Sequence, residues 1–165
     1  MVKRIVSLLL VSAILISLSG AYAASYQSTQ SFLNELDSAG LKYTNYGVDS
    51  DGDEWIVVKN YSNIYQTTLY YNFFFESDCD SVSILVWDIA SINAGKNYAL
   101  SVINALNNKW KRVKFVLDES DNTVSAQYDI YVDTATSGAI TLKALLSMYQ
   151  IIENDETYSA LSQLQ

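Results

Sequence analysis

Two groupings of side chains could do chemistry in this chain: clustered carboxylates and clustered aromatic rings. The run Asp49-Ser50-Asp51-Gly52-Asp53-Glu54 sets alternate carboxylates around a glycine turn, an arrangement that a hard cation such as calcium favours. A twelve-residue calcium loop counted from Asp49 needs glycine sixth and a bidentate glutamate twelfth, and those places hold Glu54 and Asn60. The spacing therefore predicts a solvated hairpin turn on Asp51-Gly52, with Asp49, Asp51 and Asp53 kept as a weak calcium candidate. Asp129 and Asp133 form a second carboxylate pair, able to do acid-base work in a carboxylate-dependent hydrolase if a cleft joined them. No histidine occurs, which excludes Ser-His-Asp and Cys-His nucleophilic catalysis and the commonest zinc sites. The expectation is a non-catalytic protein with no cofactor.

The aromatic residues are denser. Tyr61, Tyr65, Tyr70, Tyr71, Phe73, Phe74 and Phe75 lie close together, and 13 of 165 residues are tyrosine, enough for a stacking surface for a sugar or peptide. A strand buried on both faces reads the same way, so core or dimer contact is the preferred reading. Alternation along 69–75 puts Leu69, Tyr71, Phe73 and Phe75 on one face and Tyr70 and Phe74 on the other. Along 82–87 it separates Val82, Ile84 and Val86 from Leu85 and Trp87. Helices can cover one side of such a sheet but not both. Tyr70, Phe74, Leu85 and Trp87 are accordingly the interaction candidates, with a homodimer as the expected way of covering them. The other way is a C-terminal tail, carrying Tyr158, Leu161 and Leu164, folded back over that face.

The elements that must position these residues follow from periodicity. Phe32, Leu33 and Leu36 recur at helical spacing, with Ser28 or Thr29 as the expected cap and Gly40 as the stop. Strands are expected at Trp55 to Lys59, Thr67 to Phe75 and Val82 to Trp87, with a further short one at Tyr43 to Val48. A second helix, capped by Ser91, carries Ala94, Tyr98, Ala99, Val102, Ile103 and Leu106. A hairpin follows, with Val113, Phe115 and Leu117 facing inward on one strand and Val124, Ala126, Tyr128, Ile130 and Val132 on the other. A third helix runs from near Thr136 to Ile152, and the tail forms one more short helical segment. The order α-βββ-α-ββ-α contains no βαβ alternation, so the fold class is α+β with an antiparallel sheet.

Composition sets the surroundings. Lys3 and Arg4, the apolar run from Ile5 to Leu18 and Ala21-Tyr22-Ala23 have the layout of a secretory signal peptide over 1–23, leaving one domain over 24–165 that is secreted or periplasmic, without a stable membrane anchor. The whole chain carries a formal charge of −8; without the leader, 8 basic residues face 18 acidic ones. Such a surface repels nucleic acid, so the expected partner is a protein of unknown identity. Cys79, the only cysteine, can form no internal disulfide and sits among carboxylates that disfavour its thiolate. Asn60-Tyr61-Ser62 matches a glycosylation acceptor that would have no meaning in a bacterial protein. Lys109, Lys111, Arg112 and Lys114 form a short basic cluster, read as a solvated strand face that could also dock an acidic partner or pair with the chain's own carboxylates.

Asn107-Asn108-Lys109-Trp110, then Val113-Lys114-Phe115-Val116-Leu117-Asp118, then a strand ending Tyr128-Asp129-Ile130-Tyr131-Val132-Asp133 resemble the YbjN family, whose members are described as bacterial sensory transduction regulators. The likeness continues through Thr136-Ser137-Gly138 and covers roughly the C-terminal third of the chain. It implies a fold similar to class I type III secretion chaperones, which pair as homodimers, and a binding, regulatory or chaperone-like role without an active site.

Overall fold

The computed structural model describes residues 26–77, 80–133 and 136–165. The leader expected over 1–23 and Cys79 lie outside the described residues. The order of elements is α1 (Gln27–Ser38), β1 (Tyr43–Val48), β2 (Glu54–Ser62), β3 (Thr67–Phe75), β4 (Ser81–Ser91), α2 (Lys96–Lys109), β5 (Lys114–Asp118), β6 (Thr123–Tyr131), α3 (Ser137–Ile152) and α4 (Asp155–Ser162). The fold is α+β, as the periodicity predicts, with β1 and α4 both formed.

The six strands make one antiparallel sheet in the order β1-β2-β3-β4-β6-β5. Strands β1 to β4 are a meander. The chain then leaves through α2, takes the far edge as β5 and turns back to insert β6 beside β4. The turn between β5 and β6 is the expected 119–122, with Asp118 opposite Thr123 and Asn122 at φ 55°.

All inward-facing side chains point to the same side. Tyr71, Phe73, Phe75, Val82, Ile84, Val86, Val124 and Ala126 are fully buried beneath the helices. The ring of Phe32 on α1 packs 4.6 Å from Phe73 and 5.6 Å from Phe75, and Tyr149 on α3 meets Tyr71 edge-on at 4.4 Å. The helix α1 ends as expected at Gly40, whose φ of +67° suits a residue without Cβ. There Gly40 N–H donates to Asp37 and Leu41 N–H to Leu36, the paired bonds of a Schellman stop.

Two helix starts differ from expectation. Ser28 and Thr29 are buried within α1, and Tyr26 occupies the N-cap position because its backbone is extended and its hydroxyl is anchored to the carbonyl of Gly52 at 2.6 Å. Ser91 is the last residue of β4, paired with Thr123, and α2 begins after Gly95. Strand pairing with β6 thus extends past the point where composition alone places a helix.

The tail does not fold back over the second sheet face. Leu161 and Leu164 are fully buried in the helical core. Tyr158 meets Tyr65 edge-on at 5.2 Å, Trp110 Nε1 donates to Thr157, and Asn93 and Ala94 N–H both donate to Leu164 O. The C-terminus is a fourth helical piece on the same layer. Among the described residues, no helix is long and apolar enough to cross a membrane.

Candidate functional site

With the four helices of the described residues on one side, the other side of the sheet is left open among those residues, and register decides what it displays. Cross-strand partners share a face, so Trp55 with Phe74, Val57 with Asn72, and Lys59 with Tyr70 stand together on the outer side. The rows continue across β4 and β6 through Asn72–Leu85–Gln127 and Phe74–Ser83–Asp129, and Lys114 on β5 lies opposite Gln127.

Aromatic rings cross four strands in one line. Tyr46 stacks on Trp55 at 4.4 Å, Trp55 on Phe74 at 5.8 Å, and Phe74 meets Trp87 at 6.1 Å with a tilt of 59°. Trp55 is sandwiched and serves as a fixed wall. Its Nε1 donates to Oδ1 of Asn72 at 3.1 Å, while the Asn72 amide nitrogen donates to the carbonyls of Tyr70 and Leu85. Asn72 is buried with these partners, so it locks the indole and does not offer itself to a ligand. The exposed ring surface around the indole belongs to Tyr46, Tyr70 and Trp87, each about half exposed.

Trp87 owes its position to an irregularity in β4. Between the pairs Val86–Ala126 and Ala90–Val124, the three residues Trp87, Asp88 and Ile89 lie against Ser125 alone. Asp88 takes φ 55°, a left-handed conformation that a residue with Cβ adopts at some cost. The bulge swings Trp87 up between two grooves. One, of about 370 Å3, is lined by Tyr46, Trp55, Val57, Tyr70, Asn72 and Asp88 among others; the second, of about 540 Å3, lies between Trp87, Leu85, Val116, Ser125 and Gln127.

All four sequence-derived interaction candidates, Tyr70, Phe74, Leu85 and Trp87, stand on this face. It is not a second buried core: the aromatic run of β3 has one fully covered side and one open side. Tyr46, Trp55, Val57, Asn72 and Asp88 also belong to the site and were not singled out from the sequence. Period-two alternation across β2 could have found Trp55 and Val57, but nothing local announces the bulge at Asp88.

The carboxylate candidates do not assemble. Asp49 spends Oδ1 on the backbone N–H groups of Asp51 and Asp53, and its own N–H donates to Asp53 O, which makes the segment a self-contained turn. Desolvation, with the charge of Asp49 nearby, raises the Asp53 pKa above its ordinary value. No group of three or more metal-ligating side chains occurs among the described residues. Asp129 accepts from Ser83 and Gln127, and Asp133 lies four residues further along, roughly 13 Å in extended chain. Among the described residues Asp129 and Asp133 line different surface depressions. In the basic cluster, Lys109 pairs with Glu156 and lies 4.8 Å over the Trp110 ring, on the helical layer.

No family model matches the chain, and no curated protein matches it. Among solved structures it is similar to the crystal structure of YbjN from E. coli, a candidate transcription regulator, with a TM-score of 0.52 and 11% identity over 79% of this chain and 93% of that one. The likeness to YbjN is one of fold.

Proposed function

We propose that this protein is a non-catalytic binding module that presents the open, aromatic face of its sheet to a partner. One observation carries the reading: Tyr46, Tyr70 and Trp87 are each about half exposed on a single continuous surface that no element of the chain covers among the described residues. Soluble proteins rarely leave such a surface unused. The bulge that raises Trp87 supports the same reading, because backbone strain of this kind persists where a side chain has to be aimed. The fold shared with YbjN is consistent with a binding role; the overall charge of −8 argues against nucleic acid as the partner.

The test is to present the protein and a Tyr70→Ser, Trp87→Ser double variant to the native envelope and medium. Both substitutions are on exposed rings, so the variant should unfold within a few degrees of the parent. The reading requires that specific capture be lost in the variant; equal capture by both would sink it. A second copy is a further reading, favoured by the half-buried apolar residues Phe74 and Leu85 at the centre of the face. Light scattering at micromolar concentration would then report twice the chain mass, falling to one chain in the double variant. The proposal also includes export: mass spectrometry of the protein released by a bacterial host should find Ala24 at or within one residue of the N-terminus, and retention of Met1 would refute that part.

A further inference from the structure

We infer that the groove between Trp55 and Trp87 binds a neutral sugar residue of a glycan chain; this rests on the open face being the binding surface. The groove has about 370 Å3 of space, in the range of small-ligand sites. Its lining is of mixed chemistry. Four aromatic residues, Tyr46, Trp55, Tyr70 and Trp87, stand with three whose polar side chains are not already committed to the Trp55 indole, Thr67, Thr68 and Asp88. A pyranose ring has the same duality: its axial C–H groups form an apolar face and its hydroxyls a polar rim. Trp87 and Tyr70 supply exposed ring surface for the first, and Asp88 and the threonines supply partners for the second.

The polar lining discriminates among occupants. A purely apolar patch from a protein partner would strip water from Asp88, Thr67 and Thr68 without replacing its hydrogen bonds, which is costly. Asp88 holds Thr123 through Oδ1 at 2.8 Å, so its carboxylate is fixed while its second oxygen stays available to a hydroxyl. Charge favours a neutral ligand. Beside the groove Lys59 lies 5.3 Å over the Tyr70 ring, and Asp88 is the carboxylate in the groove's lining. An anionic ligand would meet a single lysine on a chain with a net charge of −8.

The Trp55 wall of the site is also held in place. Asn72 clamps the Trp55 indole, and Trp55 is held between Tyr46 and Phe74, so little side-chain freedom is lost on binding. The second groove begins on the far side of Trp87, so the indole stands between two troughs. A chain of several sugars can lie across the sheet with Trp87 contacting more than one ring. Affinity should therefore rise with chain length.

The experiment is a fluorescence and calorimetric titration of the full chain with neutral oligosaccharides of one to six residues, using cello-, xylo- and N-acetylglucosamine series. Trp110 is on the helical layer, so a Trp110→Phe variant leaves only the indoles of the open face, Trp55 and Trp87, as reporters. The inference expects saturable binding in at least one series, tighter for longer chains. It also expects a loss of roughly tenfold or more in affinity in Trp87→Ala and in Asp88→Asn, with the circular dichroism unchanged. Absence of binding in all three series, with capture or dimerisation still lost in the Tyr70→Ser, Trp87→Ser variant, would overturn the sugar and leave the binding face intact. Absence of both would overturn the two together. Binding that survives Trp87→Ala would place the sugar elsewhere and also overturn the inference.

Discussion

Replacing Gly138 by alanine tests the packing of α1 against α3, because two principles predict opposite signs. In an exposed helix the change stabilises by up to about 1 kcal/mol through helix propensity. Here a Cβ at position 138 would lie 2.5 Å from both the carbonyl carbon and Oγ of Ser31, and closer still to its carbonyl oxygen. An ordinary contact needs roughly 3.4 Å or more, so α1 and α3 would have to separate by about 1 Å, at an overpacking cost of ~1–3 kcal/mol. The same movement lengthens the 3.1 Å hydrogen bond from Gly138 N–H to Ser31 Oγ, worth ~0.5–1.5 kcal/mol. Set against the propensity gain, the net loss should be about 1–3 kcal/mol, or roughly 3–10 °C in Tm for a domain of this size. Urea unfolding followed by circular dichroism measures it, with the m value unchanged. Adding Ser31→Ala should not restore stability, since the clash with the backbone remains. A Gly138→Ala protein as stable as the parent would refute the close approach of the two helices.

Three further outcomes follow from the core, the phenols and the acidic turn. Phe115→Ala and Ile130→Ala should each cost ~2–5 kcal/mol because both side chains are buried, whereas exposed Lys114→Ala should stay within about 0.5 kcal/mol; equal losses would mean that the hairpin register is wrong. Burial raises the pKa of Tyr71 and Tyr65 far above the ordinary phenol value of 10.0, Tyr149 and Glu153 adding respectively to the two effects, and pushes Tyr149 up to about 12. These phenols hold their protons in the folded chain after the unfolded chain has released them. Stability they contribute is therefore complete below pH 10 and is lost as pH rises toward 12 and beyond. Ultraviolet titration should show three tyrosines ionising only with alkaline unfolding, and full ionisation of all tyrosines near pH 10 in the folded protein would contradict it. Asp49→Ala removes the acceptor for two backbone N–H groups and should cost ~1–2 kcal/mol, equally with and without calcium; a loss seen only when calcium is present would instead assign that turn to the metal.

Much of the fold is legible in the sequence because local periodicity reports it directly. Alternation in 69–75, 113–117 and 124–132 separates covered from open side chains, and the 3.6-residue recurrence of Phe32, Leu33 and Leu36 and of Ile140, Ala144, Leu145, Met148, Ile151 and Ile152 marks the helical stripes, although Ile140 at the edge of the second stripe is exposed. Gly40 stops α1 as its lack of Cβ predicts. The helix starts were harder to read: Ser91 has the side chain of a cap, yet its pairing with Thr123 keeps it in the sheet. Local preference of about 1 kcal/mol yields to strand pairing there.

What the sequence by itself determined is which side chains alternate, that the chain is acidic and without histidine, and that the sheet carries apolar side chains on a second face. Only the tertiary structure decided where the tail goes, because Leu161 and Leu164 fit either layer by hydrophobicity and are placed by contacts remote in sequence, such as Trp110 with Thr157. It alone joined Tyr46, Trp55, Phe74 and Trp87 into one line, since they come from four strands and meet through register. The bulge that aims Trp87 and Asp88 arises the same way: two extra residues relative to β6 have no local signature, and the partner strand supplies the frame in which they are extra.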